Sequence, residues 1–105
     1  METEYQKEDK LLLLKITEEL DHHTVEKIRR RADYEIEKHI PRKVVLDFNK
    51  VSFMDSAGIG LILGRYKNIS VLGGQLEVVN VSSQVIKILN MSGLSKIIEI
   101  KEECA

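Results

Sequence analysis

In this 105-residue chain, Asp55 and Ser56 are the residues whose types and spacing are best suited to a chemical role. They follow an apolar strand and begin a predicted helix, so Ser56 lies where the amides of a first helical turn are free. That end of a helix carries a partial positive charge and accommodates anions, so a phosphate on Ser56 would be tolerated. Taken alone, however, the pattern is better explained if Ser56 or Asp55 only caps the helix.

The segment around Ser56 matches none of the common catalytic signatures. A dinucleotide-binding fingerprint requires a third glycine where Leu63 stands, and the Gly-Lys-Ser/Thr of a phosphate-binding loop is absent from the sequence. A nucleophile elbow requires a glycine two residues before the serine, where Met54 stands. We therefore expect a binding protein with no catalytic residue, and not an enzyme.

The histidines and the single cysteine do not form a site either. His22 and His23 are adjacent, so on a helix their side chains would point about 100° apart, and His39 lies near the far end of the same predicted helix. Cys104 allows no intrachain disulfide and no cysteine metal site. We expect surface histidines, with His22 at an interface, no metal site, and a reducing cytoplasmic compartment.

The elements that would position Ser56 alternate between strand and helix. Strands are predicted at residues 5–7, 11–16, 43–48 and 75–81, and residues 96–101 fit either a strand or another helix. The first helix is expected to start after Asp21 as its N-cap and to stop at Pro41. The second helix spans about 56–72, and the third follows a cap at Ser82 or Ser83 and closes at Gly93, after which Leu94 packs. This alternation predicts an α/β fold with parallel pairing.

Apolar periodicity indicates which faces are buried. The run over residues 11–16 predicts a strand buried on both faces. The helices carry inward stripes at helical spacing: Val25, Ile28, Ala32, Ile36 and Ile40; Ile59, Ile62, Leu63, Tyr66 and Ile69; Val85, Ile88 and Leu89. Three glycines within the second helix each cost about 0.5–1 kcal/mol relative to alanine. Gly60 and Gly64 share a face, which would let another backbone approach, either the protein's own sheet or a partner.

Composition and charge limit the other classes of function that the chain could have. A net charge of −1, with basic residues spread along the chain, argues against direct nucleic-acid binding. The acidic N-terminus lacks the pattern of a signal peptide, and no apolar run reaches the roughly 18 residues of a membrane span. The length fits a single domain over residues 1–105, with an ordered core at about 4–101.

Three strings give the chain a family resemblance: residues 20–24 (Leu-Asp-His-His-Thr), residues 53–67 with their Asp-Ser-x-Gly element, and residues 91–94 (Met-Ser-Gly-Leu). In order and spacing they resemble the anti-sigma-factor antagonist family, which is built on the STAS domain. The first two strings look more like the sporulation sigma-F branch than the general-stress sigma-B branch. The resemblance implies a mixed, mostly parallel sheet of four to five strands packed with three to four helices.

The resemblance also implies a partner switch. The unphosphorylated protein would bind an anti-sigma factor that is also a serine kinase and so release sigma-F for sporulation transcription. Phosphorylation of Ser56 would end that binding, and a PP2C-type phosphatase would restore it. The implied partner-binding residues are Asp21, His22, Asp55, Ser56, Ala57, Gly58, Ile59 and Gly60. Relatives often carry a second serine where this chain has Ala57, so the motif offers one acceptor.

Three hypotheses stay open from the sequence. The first is the antagonist described above, a monomer when free, with no cofactor, no nucleic-acid partner and no membrane partner. The second is a STAS domain used as a scaffold without a kinase cycle. The third is a carrier of a nucleotide or another small molecule, although the chain has no phosphate-cradling motif.

Overall fold

The computed structural model describes residues 1–102, so Cys104 lies outside the described part of the chain. Over these residues the mixed sheet has five strands and packs with three α-helices, which confirms the predicted fold class. In chain order the elements are β1 (Glu2–Gln6), β2 (Leu11–Lys15), α1 (Val25–His39), β3 (Lys43–Asp47), α2 (Ser56–Val71), β4 (Gln75–Val81), α3 (Ser83–Ser92), a 3₁₀ turn (Leu94–Lys96) and β5 (Glu99–Glu102).

The strands lie side by side in chain order, from β1 to β5. β1 is antiparallel to β2, and the other three pairs are parallel. The three parallel connections all step in the same direction across the sheet. Since such connections are right-handed in nearly all proteins, α1, α2 and α3 lie on the same face of the sheet.

Burial follows this one-sided arrangement. Leu12, Val44 and Leu76 are neighbours across three strands and are buried beneath the helices. In the next row, on the other face, Leu13 at the β2 end is only half-buried, whereas Val45 is buried and Glu77 is buried while it pairs with Lys residues of β3 and β5. The prediction that residues 11–16 are buried on both faces is therefore wrong, because no helix among the described residues covers the second face.

Several predicted boundaries shift by a few residues. β1 begins at Glu2 and not at residue 5, because its polar residues pair in register with β2 at the edge of the sheet. β2 and β3 each end one residue earlier than predicted. Residues 96–101 start in the 3₁₀ turn and continue as β5, so the strand alternative is correct from Glu99 onward.

The buried stripe of α2 differs from the predicted one. Ile62 and Ile69 are buried as expected, but Ile59, Leu63 and Tyr66 are only half-buried. Leu61 and Arg65 are buried in their place. Arg65 lies against Asp33 of α1, so α2 packs against a neighbouring helix as well as the sheet.

The ends of the other helices follow local signals. Ser82 caps α3 by accepting a hydrogen bond from the amide of Val85 at 3.2 Å. Gly93 ends α3 with a φ of 83°, and Leu94 packs into the core as predicted. α1 ends at His39, and Ile40 adopts a left-handed conformation (φ 44°) that leaves it 51% exposed. Ile40 therefore does not continue the inward stripe as predicted.

The loops after β2 and β3 leave the sheet at one edge, because the carboxyl ends of parallel strands meet there. Asp21, His22 and Asp55 all lie on these loops, and α2 begins at Ser56 immediately after the second loop. Among the helices of residues 1–102, none combines the length and the apolar character that a bilayer crossing requires.

Candidate functional site

The two loops at this edge are joined by backbone hydrogen bonds. The amide of Leu20 donates to the carbonyl of Phe53 at 3.4 Å, and the amide of Asp55 donates to the carbonyl of Leu20 at 3.1 Å. These bonds form an isolated parallel bridge between Leu20 and Met54, both of which are buried. The first loop therefore lies across the end of the second, directly beside the start of α2.

Glu19 holds the same two loops together through its side chain. Its carboxylate accepts hydrogen bonds from the hydroxyl of Ser52, from the amide of Ser52 at 2.9 Å and from the amide of Phe53 at 3.4 Å. The hydroxyl of Ser52 is the main reason why the pKa of Glu19 lies below its ordinary value. At neutral pH the carboxylate is therefore ionised, which strengthens these bonds.

Asp21 organises the turn before α1 but is not the cap of that helix. Its Oδ1 accepts hydrogen bonds from the amides of His23 at 2.9 Å and Thr24 at 3.1 Å. The N-cap of α1 is Thr24, whose side chain does not cap, and the helix begins at Val25. The predicted capping role was wrong because the chain makes one further turn between Asp21 and the helix.

At the start of α2 the capping residue is Asp55. Its Oδ1 accepts a hydrogen bond from the amide of Ala57 at 2.8 Å, and its backbone is extended. This bond to Ala57 is the main cause of the lowered pKa of Asp55, with a smaller contribution from His22. Ser56 is the first residue of the helix and is exposed, and no acceptor or donor within residues 1–102 bonds to its hydroxyl.

The histidine pair is arranged differently from the prediction. His22 and His23 lie in the turn before α1, with their ring centroids 4.0 Å apart. His22 Nδ1 lies 3.5 Å from Asp55 Oδ2, and the His22 side chain is 71% exposed. His39 is half-buried and stacks on Tyr5, far from this group. The structure thus brings His22, but not His39, to the start of α2.

The glycines of α2 have separate roles. A Cβ on Gly58 would lie 2.9 Å from Met54 Cβ and 3.1 Å from both Cβ and the carbonyl oxygen of Leu20. The loop bridge therefore requires glycine at this position. A Cβ on Gly60 or Gly64 would meet no atom of the described residues within 4 Å. The alternative that these two glycines admit the protein's own sheet is wrong, and approach by a partner stays a hypothesis.

The structure places the eight predicted partner-binding residues around one helix start. Two lie on the turn that contacts Asp55, and the other six are consecutive from Asp55 to Gly60. Gly58 is buried and supports this group from below, while Ser56 and Gly60 are exposed. The sequence-based prediction missed Glu19 and Ser52, since only the fold brings these residues, 33 positions apart, into contact.

The arrangement suits binding of another protein. Ser56 is exposed at the positive end of a helix, beside an ionised Asp55 and an exposed His22. Phe53 lies on the adjoining loop with its side chain 48% exposed, so an apolar contact adjoins the polar group. Aromatic residues are enriched at protein interfaces, where a polar rim surrounds an apolar centre.

Comparison with known proteins agrees with this description. The STAS domain family profile matches residues 2–105. A curated relative from Paenibacillus polymyxa, named anti-sigma F factor antagonist, is 42% identical over 90 residues, which cover 86% of this chain and 77% of the relative.

Two solved structures of SpoIIAA share the fold. The anti-sigma factor antagonist SpoIIAA in its unphosphorylated form has a TM-score of 0.79 and 31% identity, covering 94% of this chain and 85% of that one. The phosphorylated form of SpoIIAA, described as a Bacillus cell fate determinant, has a TM-score of 0.71 and 30% identity, covering 94% of this chain and 88% of that one.

Substituting Asp55 and Ser56 one at a time tests which of the two residues caps α2. Asp55→Ala removes the acceptor for the amide of Ala57, and we expect a loss of about 0.5–2 kcal/mol in the free energy of unfolding. Ser56→Ala removes an exposed hydroxyl that caps nothing, and we expect a change within about 0.5 kcal/mol. Urea unfolding followed by circular dichroism measures both. A larger loss for Ser56→Ala than for Asp55→Ala would show that the serine is the cap.

The glycines provide a second matched pair. Gly58→Ala forces a Cβ against Leu20 and Met54, and we expect a loss of about 1–3 kcal/mol from overpacking. Gly60→Ala adds a Cβ in open space, and we expect a gain of about 0.5–1 kcal/mol from the better helix former. The same urea unfolding experiment gives both values. Equal effects of the two substitutions would contradict the close approach of the loop at Gly58.

Proposed function

Since this chain belongs to the STAS domain family, we propose that it is an anti-sigma factor antagonist regulated by phosphorylation of Ser56. In this proposal the unphosphorylated protein binds an anti-sigma factor through the partner face, the group formed by Asp21, His22 and residues 55–60. Binding displaces the sigma factor, and phosphorylation of Ser56 ends the binding. The 42% identity to an anti-sigma F factor antagonist supports the sigma-F assignment.

The observation that carries this proposal is the state of the Ser56 hydroxyl. Asp55 performs the capping, so Ser56 is exposed and can be modified without loss of the bond that starts α2. A phosphate there would lie at the positive end of the helix, which favours a negative charge. The fold should therefore keep its structure in both states, as the existence of SpoIIAA structures in both forms also suggests.

Phosphorylation would change the partner face through its charge. A phosphoserine adds about −1.5 to −2 charge at neutral pH. It would lie next to Asp55 and close to the turn that holds Asp21, so the face would become strongly negative. A hundredfold loss of affinity corresponds to about 2.7 kcal/mol. Desolvation and repulsion of one misplaced dianion at an interface can supply that amount.

The proposed modification needs two enzymes as partners. A serine kinase, expected to be the anti-sigma factor itself, would transfer the γ-phosphoryl group of ATP to Ser56 Oγ. The new ester bond forms as the bond to ADP breaks, and the serine proton passes to a base of the kinase. A PP2C-type phosphatase would hydrolyse the ester with water and restore the free hydroxyl. Ala57 offers no competing acceptor beside Ser56.

The proposal predicts opposite behaviour for two substitutions of Ser56. With purified cognate anti-sigma factor, Ser56→Ala should bind as tightly as the unphosphorylated protein and should accept no phosphate from ATP. Ser56→Asp carries a permanent negative charge and should bind about a hundredfold more weakly, a difference of about 2.7 kcal/mol. Calorimetry measures the affinities, and mass spectrometry of the intact protein detects the added phosphate.

Ser70 offers a matched control, because it is also an exposed serine of α2 but lies in the last turn, away from the partner face. Ser70→Ala and Ser70→Asp should leave the affinity unchanged. Equal affinities of Ser56→Ala and Ser56→Asp would refute the charge mechanism. Binding without incorporation of phosphate into the native protein would favour a scaffold that has no kinase cycle.

A further inference from the structure

A charged cluster lies in the contact between α1 and α2. Arg65 of α2 is only 6% exposed, and its Nε lies 2.9 Å from Asp33 Oδ1 on α1. Asn68, one turn further along α2, donates a hydrogen bond to the same oxygen at 3.2 Å. Arg29 of α1 contacts the other oxygen of Asp33 at 3.6 Å. Asp33 is therefore the meeting point of two side chains from α2 and one from α1.

This buried guanidinium is incompletely paired. The contact from Nε to Asp33 lacks the alignment that a hydrogen bond requires, and neither Nε nor Nη1 of Arg65 has a hydrogen-bond partner within residues 1–102. Burial lowers the pKa of Arg65, and the charge of Asp33 opposes that effect. Burying a charge carries a desolvation penalty that is repaid only by excellent geometry, so a well-packed apolar pair in this place is often as stable or more stable.

The position of the cluster suggests what it contributes. The turn that holds Asp21 and His22 leads directly into α1, and Ser56 begins α2. The two parts of the partner face are thus carried on the two helices that the cluster joins. Apolar contacts between helices have no directional preference. A buried guanidinium must keep its counter-charge close, because a shift of the helices that separates Arg65 from Asp33 would leave an unpaired charge in the interior, so the pair can select one register among similar packings.

We propose that the contact between Arg65 and Asp33 fixes the register of α1 against α2 and thereby positions Asp21 and His22 relative to Ser56. Arg65 is then a positioning residue for the partner face, and the contact provides specificity of structure in place of stability. This inference rests on the proposed function for the identity of the partner. Its structural part concerns this chain alone.

The test replaces the charged pair by apolar residues of similar size, as Arg65→Met with Asp33→Leu. We expect the midpoint of thermal unfolding to stay the same or rise. We expect the affinity for the anti-sigma factor to fall at least about tenfold, because a preorganised binding surface contributes to affinity. We also expect the amide of Asp55, which bonds to the first loop, to exchange its hydrogen faster relative to the amide of Ile62, a buried residue in the middle of α2.

Two control variants show whether the effect is specific to the Arg65–Asp33 pair. Arg30→Met removes an exposed arginine of α1 that pairs with Glu26 on the same helix, and it should change none of the three measurements. Ile69→Val truncates a buried residue of α2, and it should lower the unfolding midpoint while leaving affinity and the relative exchange of Asp55 unchanged. If the double variant fails to fold, Arg65→Lys takes its place. Lysine keeps the charge but has no Nε to lie against Asp33, and its ammonium group is more strongly hydrated and so costs more to bury; a positioning role therefore predicts weaker binding.

The outcomes separate this inference from the proposed function. A folded double variant with unchanged affinity and unchanged Asp55 exchange would refute the positioning role. A joint fall of affinity and unfolding midpoint, without a local change at Asp55, would mean that the pair only stabilises the fold. If the native protein does not bind the anti-sigma factor at all, the proposed function fails. The exchange of the Asp55 amide still decides whether Arg65 positions the loop.

Discussion

The hydrogen bonds between the loop after β2 and the loop after β3 constrain the whole partner face. Leu20 exchanges backbone bonds with Phe53 and Asp55, and the close approach leaves no room for a side chain at Gly58. Because this bridge fixes the backbone of Asp55, it also fixes where α2 begins. Ser56 is exposed at the helix start because the bridge and the cap are both made by its neighbours.

The capping arrangement has a consequence for regulation. Modification of a serine that caps a helix changes the cap itself, because three phosphate oxygens then compete with the serine oxygen for the first amides. Here Asp55 accepts the amide bond and Ser56 accepts none, so the proposed modification and the structural support involve different residues. The positive end of the helix then favours an added phosphate locally. A phosphate on Ser56 would therefore alter a surface and leave the fold beneath it in place.

The sequence predicted those features that depend on local signals. β4 was placed at its observed bounds, the start of α2 fell at Ser56, and Leu94 packed after Gly93 as a helix end predicts. The family resemblance supplied the sheet and the partner-binding residues, and the structure places those residues at one helix start. The role of these residues in binding stays a prediction.

Features that depend on distant contacts were not predicted. Arg65 reads as a surface residue in any hydropathy pattern, and only Asp33 on a neighbouring helix accounts for its burial. Gly60 and Gly64 were the glycines predicted to admit another backbone, yet of the three glycines within α2 it is Gly58 that lies against another segment, 38 positions earlier in the chain at Leu20. Within residues 1–102 no helix covers one face of the sheet, and this depends on the order of the strands, which no local pattern encodes.

The most direct test of the central claim is hydrogen exchange of the Leu20 and Asp55 amides, measured by NMR before and after phosphorylation of Ser56. The account predicts equal protection of both amides in the two states, because the phosphate alters the surface and not the bridge beneath it. Loss of protection at Leu20 and Asp55 in the phosphorylated protein would contradict it, since the modification would then act by opening the loops.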